Sequence, residues 1–214
     1  IPLVVPEVNG DRVADHDGIL ANPNCCTIPL TCVLKPLHEV AGLRSVRVST
    51  YQAVSGKGAA RAEALRQEPV EQHDIAFDWT WEDDETDEES KIRLEAQKIL
   101  ELPDLPISPT TVRVPVLVGH AEAIWVELED SLSPEQAEQV LGAAPSVRVV
   151  DAPTAAQAAQ TDEVLVGRVR RDRAGTNGLV LFLACDNLNK GAALNAIQIA
   201  ERVLDAAWRP LTSA

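Results

Sequence analysis

Asn22-Pro23-Asn24-Cys25-Cys26-Thr27 runs directly into Ile28-Pro29-Leu30-Thr31-Cys32-Val33-Leu34. Polar turn residues ahead of an apolar run mark a helix N-terminus. The stretch therefore predicts a helix from about Cys25 to Val40, with Pro29 in its first turn and Pro36 as a kink. A thiol at such an end meets free backbone N–H groups and the positive pole of the helix, and both favour thiolate. Thiolate is the form that attacks a carbonyl carbon. The plainer alternative is a buried cysteine beside a cap, and the fragment alone leaves both open.

Outward from this helix the pattern mixes strands and helices. Ile1 to Val8 reads as a strand already under way, and 18–21 as a second short apolar piece. Val46-Arg47-Val48-Ser49-Thr50-Tyr51 alternates like a half-buried strand. A small-residue loop, Gln52 to Gly58, precedes a helical piece over 59–67. Residues 68–87 read as irregular, and Glu88 to Leu100 as a helix stopped before Pro103. Val112–Val118 and Ala123–Leu128 are expected strands joined through Gly119-His120. Ser133-Pro134-Glu135 opens a helix with Ser as cap and Pro in its first position, ending near Gly142. Val147–Val150 is the next strand, 152–161 a loop, and Val164–Arg170 with Leu179–Ala184 a hairpin around Asn177-Gly178. A final amphipathic helix is expected over Lys190–Ala207. The fold class is α+β, with a mixed, largely antiparallel sheet, rather than a regular βαβ series.

Composition narrows the function classes. The chain has 214 residues, 45% of them hydrophobic, which is enough for a real core. No apolar run approaches membrane-spanning length, and no signal peptide opens the sequence. A net charge of −14 argues against nucleic acid and against anionic membrane surfaces. Its densest acidic run, Glu82 to Glu89, reads as a solvated loop and helix entry. Cys25, Cys26, Cys32 and Cys185 fit neither a secreted disulfide framework nor a zinc motif, so a reducing cytoplasm is the expected setting. The histidines at 16, 38, 73 and 120 show no metal-ligand spacing, and no metal site is expected. No G-x-G-x-x-G follows a strand. The first residue is not Met, and the chain is expected to begin inside a longer protein.

Several segments together carry a resemblance. They are Pro2-Leu3-Val4-Val5-Pro6-Glu7-Val8-Asn9, Asn22-Pro23-Asn24-Cys25, Ser49 to Gly56, Arg113-Val114-Pro115-Val116, Gly119-His120-Ala121-Glu122, Val166-Gly167-Arg168, Asp186-Asn187-Leu188 and Lys190-Gly191-Ala192-Ala193. In this order they resemble the catalytic and dimerisation domain of aspartate-semialdehyde dehydrogenase, of the glyceraldehyde-3-phosphate dehydrogenase-like fold. The resemblance covers nearly the whole chain. It implies reductive dephosphorylation of L-aspartyl 4-phosphate to aspartate semialdehyde, with NADP as cofactor and phosphate released, toward lysine, threonine and methionine. It also implies a homodimer, for which the strands near 112–128 and 164–184 are the candidates.

Carried over position by position, Cys25 resembles the nucleophile, His120 the general acid/base and Gln52 the residue that orients the reacting group. Arg113 resembles the fork for the substrate carboxylate. Glu88 and Lys91 resemble the pair that meets substrate amine and phosphate, and Asn24 a holder of phosphate or oxyanion. Ser55, Gly56 and Asn187 resemble residues bordering the nicotinamide. Taken singly, Arg113 and His120 also read as an edge arginine and a loop histidine, and Glu88 with Lys91 as a surface pair.

The sequence departs from the family in lacking a glycine-rich phosphate loop, in a short segment between Gln52 and Glu88, and in having Cys26 where Ser or Thr is commoner. The expected division is 1–24 as a remnant of the nucleotide-binding domain, 25–185 as the catalytic and dimerisation domain, and 186–214 as the returning C-terminal helix. On that division the chain alone is expected to bind no NADP. Two other readings stand beside the dehydrogenase: an inactive dimerisation module, and a partial acyl-transfer enzyme whose thioester is hydrolysed.

Overall fold

The structure, a computed structural model, describes residues 1–67, 75–175 and 177–207. Its helices are α1 (Pro6–Asn9), α2 (Thr27–Ala41), α3 (Ala59–Gln67), α4 (Asp87–Leu100), α5 (Pro134–Gly142), α6 (Ala155–Ala158) and α7 (Leu194–Ala207). Its strands are β1 (Leu43–Gln52), β2 (Trp81–Glu82), β3 (Glu85–Thr86), β4 (Ile107–Arg113), β5 (His120–Leu128), β6 (Val147–Val149), β7 (Val164–Arg171) and β8 (Gly178–Cys185). Six strands form one sheet in the order β4-β1-β5-β8-β7-β6. The β1–β5, β5–β8 and β7–β8 pairs are antiparallel, while β1–β4 and β6–β7 are parallel. The mixed α+β class therefore holds.

Strand periodicity gives the sheet two unlike faces. Val46, Val48, Ile124, Val126, Leu181 and Leu183 point into one buried cluster with Ile28, Leu34 and Leu37 of α2 and Ile92 and Ile99 of α4. The other face carries Tyr51, Ala123, Trp125 and Phe182, with Tyr51 and Phe182 rings 6.0 Å apart. A separate small cluster joins Val4 and Val13 near the N-terminus to Ile199 of α7.

Local chemistry sets the element ends. Thr86 caps α4 and Ser133 caps α5, each in a reciprocal capping box with the residue three positions on. Pro36 lies inside α2 without ending it.

Four expectations need correction. Residues 3–8 are not a strand: Pro6, locked in φ and lacking an N–H, starts α1, and Leu3 makes only an isolated parallel bridge to Ala21. The strand expected over 112–118 lies earlier, at Ile107–Arg113. It contains Pro109, tolerated because β4 is an edge strand paired on one side only. It does not pair with the next strand in sequence, because β1 lies between β4 and β5. The last helix opens with a π-helical turn over Asn189–Ala193, and the loop expected over 152–161 holds the short α6. Residues 68–74, within the stretch expected to be irregular, and 208–214, within the expected C-terminal helical segment, lie outside the described residues, as do His73 and Thr176.

Candidate active site

The loop before α2 is held by one side chain. Asn24 Oδ1 accepts the backbone N–H of Cys26 at 2.8 Å, closing a local turn. Its Nδ2 donates to Glu88 Oε1 at 2.9 Å, and its backbone N–H donates to Glu95 Oε2 at 2.7 Å. Cys25 follows in this turn, just ahead of the first residue of α2. Its orphan N–H groups and positive pole lie beside the sulfur.

His120 comes from the other side of the sheet plan. Gly119, just ahead of β5, turns the chain at φ 97°, a conformation that suits glycine. His120 is fully buried and stands beside Cys185 of β8 in register. Its Nε2 lies 3.2 Å from Cys25 Sγ, and its Nδ1 accepts the backbone N–H of Ala53 at 3.0 Å. A ring flip would put carbon at both contacts, so the two together fix the orientation. With Nδ1 used as an acceptor, the neutral ring carries its proton on Nε2 and points it at sulfur.

The Cys25 thiol is held well below the ordinary range. The hydrogen bond from Cys26 is the largest cause; burial opposes it, and the hydrogen bond of His120 and the charge of Arg113 add to it. Cys26 is the reverse: burial, followed by its partnership with Cys25, pushes its thiol well up. Burial likewise raises Cys32 to about 12 and Cys185 well above its usual value.

The remaining expected residues fall into three groups. Gln52 is linked through Glu88: buried at the end of β1, its Nε2 donates to Glu88 Oε1 at 3.0 Å, the oxygen that also accepts from Asn24. Arg113 is buried beside them, donating from Nη1 to the Ala53 carbonyl at 3.0 Å and from Nε to Asp78 Oδ1 at 3.2 Å, with its guanidinium 4.5 Å from the Trp79 ring centre. Thus Cys25, Gln52, Glu88, Asn24, Arg113 and His120 are linked through a chain of close contacts.

Gly56 lies against Arg113 and His120. A Cβ there would sit 3.1 Å from Arg113 Nη1 and 3.2 Å from His120 Nε2, so those groups would have to give by a few tenths of an ångström. Asn187 braces rather than reaches out. Its Oδ1 accepts the Gly119 N–H at 2.9 Å and its Nδ2 donates to Ser55 Oγ at 3.0 Å.

Lys91 is not brought into the cluster. Its ammonium pairs with Asp87 at 2.9 Å and half its side chain is exposed. The buried face of α4 is Glu88, Ile92, Ala96 and Ile99, which leaves Lys91 to one side.

Sequence reasoning missed four participants. Glu95 follows Glu88 by seven residues, a helical spacing that places both on one face. Burial raises its carboxyl. Glu122 follows His120 by two on the same strand and so shares its face. It is fully buried, neither oxygen has a hydrogen-bond partner of good geometry, and burial pushes its carboxyl well up. Ala53 acts through its backbone and Asp78 through a loop, and neither left a signal in the sequence.

Cys25, Cys26 and His120 also bring three potential metal ligands within 4.8 Å of one another. The Ala53 N–H works against such use, because it leaves Nε2 protonated and without a free lone pair.

The family described as "Semialdehyde dehydrogenase, dimerisation domain" matches residues 34–190. The aspartate-semialdehyde dehydrogenase of Corynebacterium glutamicum is 45% identical over 235 residues, covering 94% of this chain and 68% of the relative. The structure of aspartate semialdehyde dehydrogenase II from Vibrio cholerae complexed with ASA superposes with a TM-score of 0.90 at 38% identity, covering 95% of this chain and 68% of that one. A Candida albicans aspartate semialdehyde dehydrogenase with NADP gives a TM-score of 0.74 at 26% identity, covering 96% of this chain and 66% of that one.

Proposed function

Because the chain belongs to the aspartate-semialdehyde dehydrogenase family, we propose that Cys25 attacks the acyl carbon of L-aspartyl 4-phosphate on the route to aspartate semialdehyde. The observation that carries this reading is the 3.2 Å contact between Cys25 Sγ and a His120 ring whose Nδ1 is already taken. In the first step the C–S bond forms, the C–O bond to phosphate breaks, and its electron pair leaves with phosphate. The acyl group then rests on Cys25 as a thioester.

His120 serves as a donor throughout. Nε2–H stabilises the thiolate, then the negative oxygen that develops when the acyl carbon becomes tetrahedral. In the reductive direction neither attack nor collapse requires a net proton from the ring. That suits a histidine whose second nitrogen accepts a backbone N–H. Gln52, held by Glu88, has its amide oriented before substrate arrives. Arg113 is the group for the substrate α-carboxylate, in competition with Asp78. Glu88 offers a buried carboxylate for the ammonium group.

Ser55, Gly56 and Asn187, grouped beside His120, are the residues that would border a nicotinamide, which supplies hydride when bound. The fit is partial: the Asn187 amide is largely spent within the protein, and the 214 residues contain no glycine-rich turn of the dinucleotide type. The segmentation into 1–24, 25–185 and 186–214 is supported by the separate packing of Val4 and Val13 against Ile199.

The sheet face bearing Tyr51, Trp125 and Phe182 is the proposed homodimer surface, since it would otherwise leave aromatic area in water. Four free cysteines suit a reducing cytoplasm. No described helix is long and apolar enough to cross a membrane.

The deciding experiment exposes the chain to aspartyl phosphate generated in situ, followed by intact-mass analysis and peptide mapping. An aspartyl adduct on Cys25, absent from Cys25→Ser, is expected. Phosphate release with no adduct, or an adduct on another residue, would overturn the reading. Fluorescence titration of the same chain with NADPH is expected to show weak binding or none, and micromolar saturation would reveal a pyrophosphate grip elsewhere in the fold.

A further inference from the structure

Cys26 takes no bond-forming part in the chemistry above, yet its sulfur, the Cys25 sulfur and a His120 ring nitrogen all lie within 4.8 Å of one another. The two thiols are in unlike surroundings. Cys25 is partly open to the cleft, whereas Cys26 is completely buried at the cap position of α2. The buried carboxyl of Glu122 lies near enough to Cys26 to raise its thiol further.

We infer that Cys25 and Cys26 form a reversible redox pair: a hydroperoxide oxidises Cys25 to the sulfenic acid, and Cys26 then closes a disulfide with its neighbour. In the first step the Cys25 thiolate attacks one peroxide oxygen. An S–O bond forms, the O–O bond breaks and hydroxide leaves, so sulfur is oxidised and peroxide reduced. In the second step Cys26 sulfur attacks Cys25 sulfur. An S–S bond forms, the S–O bond breaks, and the departing hydroxide takes the Cys26 proton as water.

Division of labour follows from the surroundings. The activated, accessible thiolate meets the oxidant. The buried thiol keeps its proton, so it is a poor target for peroxide and acts only when an electrophilic sulfur appears beside it. Cys32, in the interior of α2, and Cys185, at the end of β8, lie outside this three-residue cluster. Closing the remaining gap to a bonded distance needs rotation of the Cys25 side chain toward its neighbour.

The ring is short. Adjacent Cα atoms are about 3.8 Å apart, below the span that disulfides usually bridge, and strained disulfides are the readily reduced ones. The product thus blocks the nucleophile and is returned by an ordinary dithiol. Without a partner, the sulfenic acid proceeds to the sulfinic acid, which a dithiol does not reverse. This inference does not depend on the substrate of the site.

The test treats the full chain with a few equivalents of hydrogen peroxide, traps remaining thiols, and maps the peptide containing residues 13–44. In the wild type the expected product is lighter by two hydrogens, with fragment ions placing the loss between Asn24 and Thr27, and a dithiol restores it. In Cys26→Ser the expected product is Cys25 sulfinic acid, not restored by dithiol. A Cys25 sulfinic acid that builds up equally fast in the wild type would overturn the proposal. So would a disulfide to Cys32, to Cys185 or to a second chain. The wild-type fragment map decides the matter even if the variant fails to fold.

Discussion

The backbone N–H of Ala53 and the Nδ1 atom of His120 meet at 3.0 Å, and this one bond decides what the histidine offers to Cys25. It turns a ring that could act as acceptor or donor into a donor at Nε2. Replacing His120 by Ala should therefore raise the pH at which Cys25 becomes alkylated. The midpoint should move up because a hydrogen bond to the charged form is lost. Rates of iodoacetamide labelling against pH measure it, and an unchanged midpoint would show that Cys26 and the helix end suffice. The rate of Cys25 acylation by aspartyl phosphate should fall by about 10²-fold or more, the usual loss of one donor to a developing oxyanion.

Gly56→Ala places a methyl group against Arg113 and His120 at 3.1–3.2 Å, so those side chains must give by a few tenths of an ångström. Gly56 itself has no positive φ, and the cost falls on the site rather than the backbone. The expected outcome is a loss in kcat of about tenfold with little change in Tm, because small misplacements of reacting groups are expensive. A large drop in Tm with normal residual kcat would contradict it.

Asp78 holds Arg113 from within the chain, at 3.2 Å. A substrate carboxylate bound by the same guanidinium must displace it, and a competing internal state weakens apparent binding in proportion to its population. Asp78→Asn should therefore lower KM by about two- to tenfold with kcat nearly unchanged. An increase in KM would mean that Asp78 instead shapes the arginine for its ligand.

Lys190 is fully buried and donates to Glu7 at 2.7 Å and to Gln198 at 2.8 Å. Burial works to raise the Glu7 carboxyl, but the charge of Lys190 and hydrogen bonds from Lys190 and Ser146 outweigh it, leaving it below the usual 4.5. Its stabilisation is therefore present above that value and is lost as pH falls through the lower folded one. Lys190→Met should cost about 3–5 kcal/mol near pH 7, the penalty of leaving a buried charge unpaired. The deficit should narrow in acid, where Glu7 is protonated in the variant. Denaturant unfolding at pH 7 and at pH 4 checks both parts, and a deficit that is the same at both would refute the ion-pair account.

Elements with strong local punctuation were legible. Ser133-Pro134 started α5 as expected, the alternation of Val46–Tyr51 lay within β1, and the apolar segments around Asn177-Gly178 paired as β7 and β8. Misplacements arose where tertiary context overrode local cues. Pro109 falls inside β4, where only the edge position makes it harmless. Pro6 looked like one residue of an apolar strand and proved to be a helix start. In the site, the order of motifs pointed to Cys25, Gln52, Arg113 and His120; the structure puts Cys25 against His120 and Arg113 close to that ring. Lys91 stands apart from the buried contacts, because Asp87 one turn back holds its ammonium in solvent. Ala53 and Asp78 were invisible, since a backbone amide has no sequence signature and a loop carboxylate has no periodicity.

The distance along the chain between Cys25 and its histidine has a consequence for how the molecule is made. The two are 95 residues apart, and β5 can deliver His120 only by pairing with β1 and β8, the latter more than fifty residues further on. Such long-range pairings form late. During synthesis the helix end alone can begin to lower the Cys25 thiol, but the imidazole donor arrives only with the closed sheet. A chain whose sheet has not yet closed therefore lacks the share of the activation that His120 supplies. Full activation of the sulfur coincides with completion of the fold, so a misassembled copy is also a chemically quiet one.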